Sequence, residues 1–203
     1  MIINFTQETS FFSASPSANV GFALINIKIK IGRKEGKAGL YSCPEMAKIL
    51  VLYYSKTGNT KRMAEAVAEG AQKKAEEVNV VNLQEATVDI LPNYDGIIIG
   101  SPTYYGIAAG AVKEFLDKSI KYHGQLEGKV GGAFSSAGIP GGGCETTAIS
   151  IIQMLLVHGM VVKGFSKTGH YGPVATGAPD ERALSECQQL GEETAEIAQK
   201  LKS

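Results

Sequence analysis

Between residues 46 and 203, five short apolar runs alternate with segments of helical periodicity. This alternation leaves few folds open. Parallel strands need a crossover, and a helix is the usual one, so the sheet ends up covered on both faces. The first run spans 48–54. Met63, Val67 and Ala71 then repeat at i, i+4 and i+8, which predicts a helix over roughly 60–76. Further strands are predicted over 78–83, 94–100, 129–135 and 161–165. Val112, Phe115, Leu116 and Ile120 mark a helix over 110–121. The stretch 145–157 is too apolar and too long for a strand, and reads as a helix buried on most sides. Asp180 is placed to cap a last helix that carries Leu184, Cys187, Leu190 and Leu201. The expected architecture is α/β, a doubly wound parallel sheet with right-handed crossovers.

In such a sheet, ligands bind beyond the carboxyl ends of the strands. Three polar loops leave those ends: 55–60, 101–109 and 135–143. The first reads Ser55, Lys56, Thr57, Gly58, Asn59, Thr60. It aims backbone N–H groups, a helix N-terminus and three hydroxyls at one point, which suits a phosphomonoester. It is not a Walker A loop, because Asn59 follows Gly58 where a lysine is needed. One glycine in the turn does not make a dinucleotide fingerprint either. The plainer alternative is a capped helix start, with Asn59 or Thr60 as N-cap.

The second loop holds Pro102, Thr103, Tyr104, Tyr105 and Gly106. Its tyrosines can present a ring beside a planar ligand, and Thr103 can bond that ligand's heteroatoms. A loop with partly buried aromatics is the alternative. The third loop continues from Ser135 through Ser136, Ala137, Gly138, Ile139, Pro140, Gly141, Gly142 and Gly143. Backbone this poor in side chains can lie flat against a ring and donate N–H groups to its edge. A flexible connection is the alternative. Ser135 lies in no G-x-S-x-G elbow, which argues against a hydrolase nucleophile.

Composition excludes several classes. A formal charge of zero gives no general attraction for nucleic acid or an anionic membrane. No apolar run reaches the ~20 residues a bilayer span needs. Cys43, Cys144 and Cys187 are widely spaced, without a C-x-x-C pair, so neither a disulfide framework nor a zinc site is expected. A reducing, cytoplasmic setting follows as the expectation. Cys144 reads as a small packing residue. His123, His158 and His170 lack the H-x-x-x-H spacing of a metal site. His158 ends the apolar helix, where its charged form would suit the dipole; capping and a ligand contact are its two readings.

Residues 1–45 differ from the rest. A Ser-rich start is followed by Ile25, Ile27, Ile29 and Ile31 alternating with polar residues. This segment is expected to be an N-terminal extension, disordered or forming one edge strand, with Met46 a natural start for the domain 46–203. The first ten residues contain no Lys or Arg, unlike a signal peptide.

Together the three loops resemble the flavodoxin-like fold, and the first resembles the flavodoxin phosphate loop for FMN. The chain is most similar to the WrbA-type NAD(P)H:quinone oxidoreductases. The similarity lies in 47–55, 64–71, 100–106, 134–136 with 141–143, 158–161 and 171–172. It covers about residues 47–202. It implies a five-stranded parallel sheet in the order 2-1-3-4-5, with FMN as cofactor and NADH or NADPH as co-substrate. By position, Ser55 to Thr60 would hold the FMN phosphate. Pro102, Thr103, Tyr104, Tyr105 and Gly106 would flank the ring and ribityl chain. Ser136 to Gly142 would line its other side. His158 would lie near the ring and act catalytically, from its own or from a neighbouring subunit, in a homo-oligomer (a dimer or tetramer). The acceptor would be a quinone or another small molecule. The chain departs from the family in having no Trp and in its short connections between the second and third strands and after Phe165.

Three function classes follow. The resemblance implies an enzyme of ping-pong type. A one-electron flavodoxin carrier is the rival, but such carriers are strongly acidic. Residues 46–203 hold 15 Lys/Arg against 17 Asp/Glu. A scaffold without cofactor ranks last, since the hydroxyls and glycines all remain.

Overall fold

The computed structural model describes residues 46–202. The expectations for 1–45 lie outside the described residues. A parallel sheet forms from Lys48–Tyr53 (β1), Glu77–Asn82 (β2), Gly96–Tyr104 (β3) and Val130–Ala137 (β5), with the short strands Val161–Val162 (β6) and Val174–Thr176 (β7). Its order is β2-β1-β3-β5-β6, the doubly wound order expected. Ile107–Ala108 (β4) pairs antiparallel with the end of β3. β1 and β3 are almost entirely buried, as strands covered on both faces must be.

Helices Asn59–Ala71 (α1) and Glu181–Lys202 (α4) pack over one face, around Ile49, Val51, Ile98 and Phe134. Gly110–Lys118 (α2) and Cys144–Val157 (α3) cover the other, around Leu50, Leu52, Ile97 and Ile99. The alternation of one-face and other-face residues along β1 is the period-2 pattern of a strand. The helices α1 and α4 approach at paired glycines. A Cβ on Gly70 would sit 1.9 Å from the Gln188 carbonyl oxygen, and one on Gly191 1.9 Å from that of Val67. Asp180 caps α4 as expected, its Oδ1 accepting the Ala183 N–H at 2.8 Å.

Four expectations are corrected. α1 ends at Ala71 rather than near 76, because Glu77 must already pair with Lys48. The fifth position in the sheet is split: β6 pairs with Val130 and Gly131, and β7 with Ser135 to Ala137. The chain leaves the sheet between them and returns at Gly172, whose left-handed φ of 123° brings it so close that a Cβ would lie 2.0 Å from the Ala133 oxygen. α3 is not buried on most sides, since Leu156 and Val157 are exposed. The apolar stretch ends in a helix with one wet face. Finally, much of the second loop is strand. No helix of the described residues is long and apolar enough to cross a membrane.

Candidate active site

At the carboxyl end of β1 the chain turns through Ser55 to Gly58 into α1. Gly58 is the N-cap, in the left-handed conformation at φ 93°, and no side chain caps the helix. Asn59 and Thr60 are its first residues rather than caps. The first turn contains no acidic residue. Its N–H groups therefore point outward without a side-chain partner, which is the arrangement an anion seeks. Ser55 Oγ accepts the Gly58 N–H at 3.1 Å, which leaves its own O–H free to donate. Lys56 and Thr57 are exposed beside it.

Thr60 points inward. It is 1% exposed, and its Oγ1 lies 2.9 Å from Ser136 Oγ on β5. The first and third loops are thereby joined by a buried hydroxyl pair. Ser135 Oγ donates to the Cys144 carbonyl at 2.7 Å, and Cys144 Sγ–H points at the Ala175 carbonyl at 3.4 Å. Burial pushes the Cys144 thiol up from its ordinary pKa, which suits a packing group. Beyond Ala137 the third loop is open: Gly138, Ile139, Pro140 and Gly141 are exposed, and the Gly142 N–H closes a turn onto the Ile139 carbonyl at 3.2 Å.

The second loop is a hairpin. β3 runs on through Pro102 and Thr103 to Tyr104, which pairs with Ile107. Tyr105 and Gly106 make the two-residue turn, both left-handed at φ 52° and 81°. Two such residues are what a type I′ hairpin needs. Tyr104 is 40% exposed and Tyr105 fully exposed. Ser101 Oγ accepts the Ala109 N–H at 2.9 Å and donates to the Pro102 carbonyl at 2.8 Å.

Three residues missed by the sequence reading stitch this hairpin to α3. Thr147 donates to Thr103 Oγ1 at 3.0 Å, Thr146 Oγ1 to the Gly106 carbonyl at 2.6 Å, and Ser150 Oγ accepts the Ala108 N–H at 3.2 Å. The available signal was the row of hydroxyls on the first two turns of a helix that follows a glycine loop.

His158 is placed elsewhere. α3 runs 14 residues back from the third loop, so at ~1.5 Å per residue His158 lies about 20 Å from Gly143. It stands at the amino-terminal end of the sheet, beside β6. Its ring is buried, with Nε2 2.7 Å from Ser119 Oγ. Ser119 donates its own proton to the Leu116 carbonyl at 2.7 Å, so it must accept from His158 Nε2–H. Nδ1 is buried and has no hydrogen-bond partner among the described residues. Burial, and then the neighbouring His123, hold the His158 pKa below its usual value. His158 is the C-cap residue of α3, and its burial disfavours the charged form that the helix dipole would favour. Within one chain it does not join the three loops, which bring together the other expected site residues.

A doubly wound parallel sheet in this order, with a helix N-terminus free of side-chain caps and two polar loops tied at its carboxyl edge, is the architecture of the flavodoxin class. A flavodoxin domain family matches residues 50–139. An NAD(P)H dehydrogenase (quinone) of Archaeoglobus fulgidus is 35% identical over 190 residues, covering 77% of this chain and all of the relative. A flavodoxin of Aquifex aeolicus is 41% identical over 160 residues, covering 74% and 86%. The crystal structure of a WrbA-like flavodoxin from Agrobacterium tumefaciens superposes with a TM-score of 0.66 at 28% identity, covering 76% of this chain and 98% of that one. The chain belongs to the flavodoxin-like family, among relatives that include WrbA-like proteins and NAD(P)H dehydrogenases (quinone).

Proposed function

We propose that the chain is an FMN-dependent oxidoreductase that passes two electrons from NADH or NADPH to a quinone. The observation that carries this reading is an acid-free helix N-terminus without a side-chain cap and the exposed Tyr104 and Tyr105, whose loops are each tied to the third loop, by Thr60–Ser136 and by Thr146. These residues fit the group. The α1 N–H groups, that of Thr60 included, with the Ser55 and Thr57 hydroxyls would hold the phosphate, with Lys56 and Asn59 beside it and Gly58 allowing close approach; the Thr60 hydroxyl, expected among the phosphate donors, instead braces the loop from behind through Ser136. Pro102, Thr103, Tyr104, Tyr105 and Gly106 would flank the ribityl chain and ring, and the tyrosines would keep water from one face. Ser136, Ala137, Gly138, Ile139, Pro140, Gly141 and Gly142 would line the other side with backbone. FMN, when bound, supplies the redox chemistry. No protein nucleophile is required.

His158 can serve such a site only from a second copy. The exposed side chains of Ile107 and Ile120 line two grooves that share exposed Val157, and an apolar surface of this kind supports a homo-oligomer as a docking face. Residues 46–203 would form the FMN-binding domain, with 1–45 as an extension. The buried thiols accord with a reducing, cytoplasmic setting.

The test is direct. Purified protein titrated with FMN should quench flavin fluorescence, and the loaded protein should oxidise NADH or NADPH when benzoquinone is present. Flavin binding without pyridine-nucleotide oxidation would favour an electron carrier; no flavin binding would overturn the reading.

A further inference from the structure

The hairpin that carries Tyr104 and Tyr105 has an awkward turn. A type I′ turn favours Asn-Gly, yet Tyr105 occupies its first left-handed position at φ 52°. The Tyr105 side chain is fully exposed, so it contributes no packing that would hold that conformation. The ladder of the hairpin is short: β4 has only two residues, paired with Thr103 and Tyr104. Something else must fix the turn.

The contacts that do so come from α3. Thr146 Oγ1 is 2.6 Å from the Gly106 carbonyl and 2.9 Å from the Gly143 carbonyl. Its single proton is shared between the last residue of the turn and the last residue of the third loop. Gly143 itself is left-handed at φ 95°, and a Cβ there would lie 2.9 Å from Gly106 Cα. The second and third loops thus touch backbone to backbone, and one hydroxyl bridges both sides of the contact. The neighbouring stitch, Thr147 to Thr103, is set deeper; Thr147 is fully buried. Thr146 is exposed, so its hydroxyl can be removed without opening the core.

We infer that Thr146 is a positioning residue: its hydroxyl sets the gap between the Tyr104–Tyr105 hairpin and the third loop, and so the width of the slot for the flavin ring. The inference rests on the proposed flavin site. Thr146 touches neither reacting atoms nor substrate. It acts by holding the carbonyl of Gly106, and with it the direction in which Tyr104 and Tyr105 point.

The experiment compares Thr146→Val, which keeps the shape and loses the hydroxyl, with Thr146→Ser, which keeps the hydroxyl. The first readout needs no cofactor. Chymotrypsin cuts after exposed tyrosines, and its rate follows the population of the opened hairpin when reclosing is fast. The apoprotein of Thr146→Val should be nicked at Tyr104 or Tyr105 about five-fold faster than wild type, the effect of one lost hydrogen bond, with Thr146→Ser near wild type. The second readout is FMN itself. The Val variant should bind FMN about ten-fold more weakly, with an altered visible circular dichroism of the flavin, and the Ser variant should restore both. Far-UV circular dichroism should be the same in all three. Equal nicking rates would overturn the latch. Faster nicking with unchanged FMN affinity and flavin spectrum would overturn the positioning role. Failure of wild type to bind FMN would overturn the inference together with the flavin site, and the nicking rates would still report whether the latch exists.

Discussion

The buried pair Thr60–Ser136 ties the phosphate loop to the ring loop, and its removal has a calculable effect. Thr60→Val keeps the side-chain shape and deletes one hydroxyl. A neutral hydrogen bond of 2.9 Å is lost, at about 1 kcal/mol net. Ser136, only 5% exposed, is left with a hydroxyl short of one partner, at about 1–2 kcal/mol more. The added methyl group regains about 0.8 kcal/mol by burial. The expected net loss is about 1–2 kcal/mol. Urea unfolding of the apoprotein followed by far-UV circular dichroism measures it as a lower midpoint at unchanged slope. The double variant with Ser136→Ala removes both hydroxyls, so the two losses should fall short of additive by about 1 kcal/mol. A Val variant as stable as wild type, or strictly additive losses, would refute the claim that the two loops are joined through these side chains.

Other outcomes follow from the same structure. Gly191→Ala places a methyl against the Val67 carbonyl and should lower stability by at least ~2 kcal/mol in the same unfolding assay. His158 has a folded-state pKa below the ordinary imidazole value of about 6.5, so the unfolded chain binds its proton first as pH falls. Stability should therefore rise with pH through the window from the folded pKa up to about 6.5, and His158→Gln should flatten that part of a melting-temperature profile; parallel profiles would contradict the burial argument. The Cys144 and Cys187 thiols are buried and pushed up in pKa. Both should resist iodoacetamide in the native protein and react in urea, as read by peptide mass spectrometry.

Much of this was legible in the sequence because strand and helix periods were clean. The buried runs of β1, β3 and β5 stand out as near-continuous apolar stretches; the crossover rule restricts their topology, and their order was implied by the family resemblance. The hairpin was not legible, because Pro102 demotes a run that would otherwise read as strand. Pro102 is tolerated there, at the last pairing between β3 and β5, opposite Ser136. β7 was missed because three residues between Pro173 and Gly177 carry no period. The split fifth strand depends on Gly172 approaching the β5 backbone, a tertiary contact with no local pattern. At the site, residue identities pointed to a phosphate and a ring, whereas the hydroxyl stitches from Thr146, Thr147 and Ser150 emerge only when α3 is packed against the hairpin. The placement of His158 shows the reverse: sequence position after an apolar helix said where the helix ends, but not that its end lies a full helix length from the loops.

The proposed flavin site takes electrons from a reduced nicotinamide and gives them to a quinone. Anaerobic mixing of the FMN-loaded protein with NADH or NADPH, followed by benzoquinone, tests it in one trace. The flavin's visible absorbance should be lost on the first addition and fully recovered on the second. A flavin that stays oxidised with both nucleotides would contradict the proposal.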